Sequence, residues 1–221
     1  MATNFPGSLD SFTNPSASDA MDSVTVPHAT QHADLNDAVE SLQAKVGVDG
    51  SADTGSLDYK VTQQGLTFIK SVSIGSGVSS VTVTDAFSST FKNYLVIITA
   101  MASGSLQNLL VQCGNRGTAY FGSSTRTLFT STSVTVINRY NDSNFYAGEV
   151  SSTGNAYYEM RFLQPNELTS TKFDARSFGG GYWVNFGGVN STVETYTAFT
   201  FYPASGTLTG GTLQLYGYNN G

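Results

Sequence analysis

The 221-residue sequence predicts a mainly β protein: an extended N-terminal arm, a short coiled-coil helix and a C-terminal antiparallel β-sandwich of jelly-roll-like type. Three observations lead there. Charged residues make up 12% of the chain, against about a quarter in ordinary soluble domains. Gly, Ser, Thr, Asn and aromatics stand in their place, the composition of strands and turns. A single stretch, 28-HATQHADLNDAVESLQAKVG-47, carries a convincing helical pattern. From Thr67 onward, short alternating or apolar runs are separated by turn residues.

Residues 1–26 have no hydrophobic periodicity, and Pro6, Gly7 and Pro15 sit in a Ser-, Thr- and Asp-rich background. Such a segment cannot build its own core and orders only against a partner. It reads as an extended docking arm, with Phe5, Leu9, Phe12 and Met21 as its apolar anchors.

The helix occupies 27–47. Pro27 suits the first helical position, where a missing N–H costs nothing, and Gly47 supplies the stop. Leu35, Val39, Leu42 and Val46 are spaced 4, 3, 4, the a/d pattern of a coiled coil. Running the heptad backwards places His32 at a and His28 at d. The seam is then His28, His32, Leu35, Val39, Leu42 and Val46, with Asp34, Asn36, Asp37, Glu40, Gln43 and Lys45 outside. A helix this short, about 30 Å at ~1.5 Å per residue, needs partners. The stripe either packs on the chain's own β domain or joins copies of the chain. Its narrow width and the loop-like flanks favour self-association.

Residues 48–66 read as a polar linker, and 67–221 as the β domain. Strands are expected at 67–74, 78–84, 94–101, 106–113, 128–140, 156–163, 171–178, 182–188, 194–202 and 211–218. Eight to ten short strands without helices suggest a sandwich or jelly roll.

Charge excludes some partners. Residues 1–60 hold nine acidic and two basic residues, and 61–221 hold seven acidic and eight basic ones. With no basic stripe, nucleic acid is not an expected partner. No window approaches the apolar length of a membrane span, and the start has no signal-peptide pattern. Cys113 is the one cysteine, in an apolar run, and reads as a buried, inert thiol.

No catalytic constellation emerges, and the chain reads as a non-enzyme without a cofactor. Both histidines lie on the helix, remote in sequence from Cys113. Two ligands at i, i+4 without a third do not make a zinc motif. The first expectation is no metal and a polar core layer that fixes register, although a threefold His layer has room for water or an ion. Glu159/Arg161 and Asp174/Arg176 alternate along strands and read as surface ion pairs. The stretch 179-GGGYWVNFGG-188 lacks the Lys-Ser/Thr and helix of a phosphate loop. Its Tyr182 and Trp183, with Asn185 and Asn190, are candidates for contact with a receptor glycan, the alternative being core or subunit interface.

Three segments carry a resemblance: 8-SLDSFTNPSASDAM-21, 28-HATQHADLNDAVESLQAKVGVDGSADTGSLDYKV-61 and 201-FYPASGTLTGGTLQLYGY-218. The first two are similar to the start of bacteriophage tail-fibre and head-fibre proteins, in which an arm attaches to the virion and a short helix trimerises. The third is similar to the last strands of fibre-tip β domains. The resemblance implies a homotrimer, made in the host cytoplasm and located on the virion. Residues 1–26 would bind phage capsid or tail proteins, and the β domain would face host surface glycan or protein, without membrane insertion. Here one β domain follows the linker almost at once, which favours a short tail or capsid fibre over a long shaft. The alternative is a decoration or connector protein that stabilises the particle without binding a receptor.

Overall fold

The computed structural model describes all residues other than 1–3, 6, 9–10, 12–17, 25–26, 64, 115–117 and 220–221. Leu9 and Phe12 lie outside the described residues. The chain divides into two units, with the boundary between Gln64 and Gly65.

In the first unit, the arm's described residues make turns. The N–H groups of Gly7 and Ser8 both donate to Asn4 O, and Ser23 N–H donates to Ala20 O. Helix α1 (His28–Val46) follows, with Pro27 as its N-cap rather than its first helical residue. Gly47 ends it at φ +86, its N–H donating to Gln43 O at 2.8 Å. A side chain there would also stand 2.9 Å from Ser56 Cβ, because the chain folds back closely at this point.

The expected linker contains a second helix, α2 (Leu57–Gln63). Its start is fixed by short-range chemistry. Ser56 Oγ accepts the Tyr59 N–H at 3.2 Å and donates to Asp53 O at 2.7 Å. Asp53 Oδ1 accepts the Gly55 N–H, and Asp58 in the first turn accepts the Ser51 N–H. A serine cap and an acid in the first turn favour a helix N-terminus. The linker proper is therefore 48–56.

The second unit holds fourteen described strands: β1 (Leu66–Ser73), β2 (Ser76–Val78), β3 (Val81–Val83), β4 (Asn93–Ser103), β5 (Gln107–Cys113), β6 (Tyr120–Leu128), β7 (Val134–Asp142), β8 (Phe145–Val150), β9 (Ala156–Leu163), β10 (Thr169–Gly179), β11 (Tyr182–Glu194), β12 (Phe199–Pro203), β13 (Leu208–Thr209) and β14 (Thr212–Tyr218). The larger sheet runs β1-β14-β4-β9-β10-β11-β6-β7, with β13 and β2 attached beyond a bulge in β4. The smaller sheet runs β3-β12-β5-β8, and every pairing is antiparallel. The expectation of a mainly β fold with two antiparallel sheets holds.

The two sheets share one aromatic core. Phe145 on β8 stacks on Phe173 of β10 at 4.6 Å, and Phe199 on β12 meets Phe162 of β9 at 4.8 Å. The alternation of β9 and β10 is explained by this arrangement. Tyr158, Met160, Phe162, Phe173, Ala175 and Ser177 point in, while Glu159, Arg161, Lys172, Asp174 and Arg176 point out. Burial of each large apolar side chain contributes about 1.5–3 kcal/mol.

Two strands, β8 and the two-residue β13, fall outside the expected ranges, and β2 and β6 meet those ranges only at Val78 and Leu128. β6 is polar, YFGSSTRTL, and its Gly122 exists because a Cβ there would lie 2.4 Å from the Phe186 ring. β8, FYAGEV, is buried along its whole length and carries Gly148 at φ +133 opposite a register shift in β5. The expected strand 128–140 is instead the end of β6, a turn and most of β7.

Candidate functional site

Two surfaces and one buried cluster collect the side chains singled out by the sequence. On α1, the six seam residues are all exposed in the single chain. Leu35 is 55% and Leu42 51% exposed, with Val39 and Val46 similar. Leu57 and Val61 of α2 are exposed as well. The less exposed line of the helix is Gln31, Asp34, Ala38 and Ser41. Asp34 corrects the expectation that it lies outside: it is 8% exposed, the one buried residue of α1. It and Gln31 are held by polar or electrostatic contacts. The helix thus turns its polar line inward and leaves its apolar line uncovered, the reverse of an ordinary surface helix.

His28 and His32 stand one turn apart with Nε2 atoms 3.0 Å from each other. Their rings meet edge to face at a centroid distance of 4.3 Å. Of the expected docking anchors within the described residues, Phe5 is half-buried and Met21 exposed.

The second surface is the outer face of the larger sheet, organised by the β10–β11 hairpin. Gly180 and Gly181, at φ +59 and +82, form its two-residue turn, where positive φ at both positions matches the twist of the strands. The glycine run is thus a hairpin, and its register fixes the rows that follow. Phe178 lies opposite Trp183 on β11 and opposite Tyr157 on β9. Phe129, just after β6, comes within 6.4 Å of the Phe178 ring. Phe178, Trp183 and Phe129 are all exposed. The next row is Glu159, Arg176 and Asn185, and the one after it Arg161, Asp174 and Gly187. An aromatic row therefore borders a band of donors and acceptors.

Of the four expected contact residues, Trp183 and Asn185 belong to this face. Tyr182 faces the other way, half-buried beneath the Arg126 guanidinium at 4.7 Å. Asn190 is a correction: its side chain is fully buried, donating to the Tyr196 hydroxyl at 3.0 Å and accepting the Thr192 N–H. It is part of the core's hydrogen bonding, and its burial puts it out of reach of a ligand at the surface. Sequence reading missed Phe178, Tyr157 and Phe129. The two-glycine turn was the available signal, since it forces Phe178 and Trp183 into register.

Arg161 pairs across the strands with Asp174 rather than along β9 with Glu159. Arg161 Nε meets Asp174 Oδ1 at 2.8 Å, and Glu159 lies opposite Arg176. Such exposed pairs contribute at most about 1 kcal/mol.

Inside, Glu149 is 2% exposed. Its Oε1 accepts from Arg126 Nη1 at 2.7 Å and from the Tyr146 hydroxyl at 2.9 Å. Burial first, then the Glu149 charge, holds the Tyr146 and Tyr158 hydroxyls above their usual range. At β7, burial opposes ionisation of Asp142, but hydrogen bonds from Arg139 and the Ser143 N–H outweigh it and leave its carboxyl below the ordinary value. Burial pushes the Cys113 thiol up, so it stays protonated and unreactive. Glu149 and Asp142 are each paired with an arginine, while the buried Thr171 and Ser177 hydroxyls have no hydrogen-bond partner among the described residues.

Among the described residues no group of three or more His, Cys, Asp or Glu gathers as a metal site, and no helix is long and apolar enough to cross a membrane. No protein-family model matches the chain, and no curated protein matches it either.

Proposed function

We propose that the chain is a homotrimeric structural protein of a bacteriophage virion, a short tail or capsid fibre. It anchors through residues 1–26, trimerises through α1 and presents a jelly-roll-like β-sandwich outward to the host surface. The work of such a protein is binding, without catalysis or cofactor. The observation that carries the reading is the uncovered line Leu35, Val39, Leu42 and Val46 on a helix whose polar line is the covered one. An apolar line at coiled-coil spacing left open in a single chain is what association of copies covers. The aromatic row and the Arg176/Asn185 band supply the outward contact chemistry, suited to the apolar face and hydroxyls of a sugar.

Multi-angle light scattering of the purified chain tests the first half, and a trimer is expected at micromolar concentration. A monomer overturns it. Deleting residues 1–26 tests the second: the truncated trimer is expected to fold but to be missing from assembled particles. If it still decorates them, the arm does not dock.

A further inference from the structure

We propose that His28 and His32 form a two-imidazole chelate for a divalent late-transition metal ion, with zinc as the probe. Side chains four residues apart share one helix face, and here the two Nε2 atoms approach to 3.0 Å. Imidazole nitrogens bind zinc at about 2.0–2.1 Å. An ion bonded to both at the observed separation subtends an angle of about 95° at the metal. That is the cis angle of octahedral and tetragonal sites, and opening the pair by ~0.3 Å reaches the tetrahedral angle zinc prefers. Both rings are exposed, so that adjustment meets no packing.

In the metal-free chain, one Nε2–H donates to the other ring's Nε2 lone pair. To bind, the donor ring moves its proton to Nδ1, a tautomeric shift without change of charge, and both exposed rings turn so that their Nε2 lone pairs converge on the ion. Imidazole is a good ligand for zinc, copper and nickel and a poor one for magnesium or calcium. Two features keep the affinity modest. The pair sits at the positive end of the helix dipole with no acid in the first turn. Among the described residues no third His, Cys, Asp or Glu joins the pair. The remaining coordination positions go to water, or to the same pair in neighbouring copies. The chelate itself needs only one helix and does not rest on the trimer; sharing of an ion between chains does.

The test is calorimetric titration of the full, tag-free chain with zinc alone. Saturable binding is expected, and His28→Ala and His32→Ala should each abolish it while circular dichroism stays that of the parent; light scattering reports each variant's mass beside it. Adding Ala33→His to the His32→Ala chain restores the histidine count off the face, and should not restore binding. Absence of saturable binding in the parent overturns the proposal. Binding that survives in either single variant, or returns with Ala33→His, overturns it too. Light scattering reads the trimer separately, so a monomer that binds zinc sinks the coiled coil and leaves the chelate standing.

Discussion

Leu42→Ala is the sharpest test of the helix. Leu42 is 51% exposed in the single chain. Full burial of a leucine side chain contributes about 1.5–3 kcal/mol, so covering the exposed half in a bundle contributes roughly 1 kcal/mol per chain. Truncation to alanine removes most of that from all three chains at once, about 3 kcal/mol per trimer before any cavity cost. At about 1.4 kcal/mol per tenfold, the trimerisation constant falls by roughly two orders of magnitude. For three associating chains the half-dissociation concentration scales as the inverse square root of that constant, so it rises about tenfold. Sedimentation across a concentration series measures it. Gln43→Ala, one residue round the helix and exposed, is the control and should leave the midpoint in place. Equal midpoints for the parent and Leu42→Ala, or an equal shift for Gln43→Ala, refute the seam.

Glu149→Ala strips the acceptor from Arg126 and Tyr146 inside the β unit; a loss of about 3 kcal/mol, the low end for breaking a buried pair because Arg126 retains some exposure, is expected by urea denaturation. Gly122→Ala drives a Cβ to 2.4 Å from the Phe186 ring and 2.7 Å from Gly187 O, and should cost about 1–3 kcal/mol. Gly187→Ala meets nothing within 4 Å and should be neutral or gain up to about 1 kcal/mol; if the two rank the other way, the packing of β6 on β11 is wrong. Trp183→Ala should change stability by about 1 kcal/mol or less while reducing adhesion of labelled protein to host cells, and undiminished adhesion removes Trp183 from the contact surface.

What the sequence conveyed depended on how local the deciding physics was. The β class, Gly47 and the 4, 3, 4 stripe were legible because composition, a helix stop and periodicity each act over a few residues. The capping chemistry of α2 was equally local, in Asp53, Ser56 and Asp58, but a polar background hid it. β6 was invisible for a different reason. Its signal is that Phe186, more than sixty residues away, needs a glycine opposite. Asn190 lies five residues from Asn185, so alternation along β11 puts the two on opposite faces; the expected strand stopped at 188 and left Asn190 outside that alternation. Asp34 reversed because the heptad carries no information on what buries it. Only the geometry could reveal that two histidines read as polar layers hold their Nε2 atoms within reach of one ion.

The adhesin and decoration readings place opposite demands on the outer sheet face. A protein that cements a particle needs a broad, dry, permanent contact, whereas this face carries a single aromatic row beside exposed Arg176 and Asn185. Each aromatic contact adds about 0.5–1.5 kcal/mol beyond area burial. On the proposed function, a site of that size is expected to bind with roughly millimolar affinity, about 4 kcal/mol. That is too weak for one copy to hold a cell, but linking copies multiplies it by about 10²–10⁴ when their spacing allows simultaneous engagement. On the same proposed function, the exposed helix line multiplies the weak contact made by the aromatic row. Leu42→Ala, diluted below its dissociation midpoint, should adhere to host cells as poorly as the Trp183→Ala trimer although its contact face is intact. Adhesion equal to the parent's would mean that a single β unit binds tightly by itself, and the trimer would then serve attachment to the particle instead.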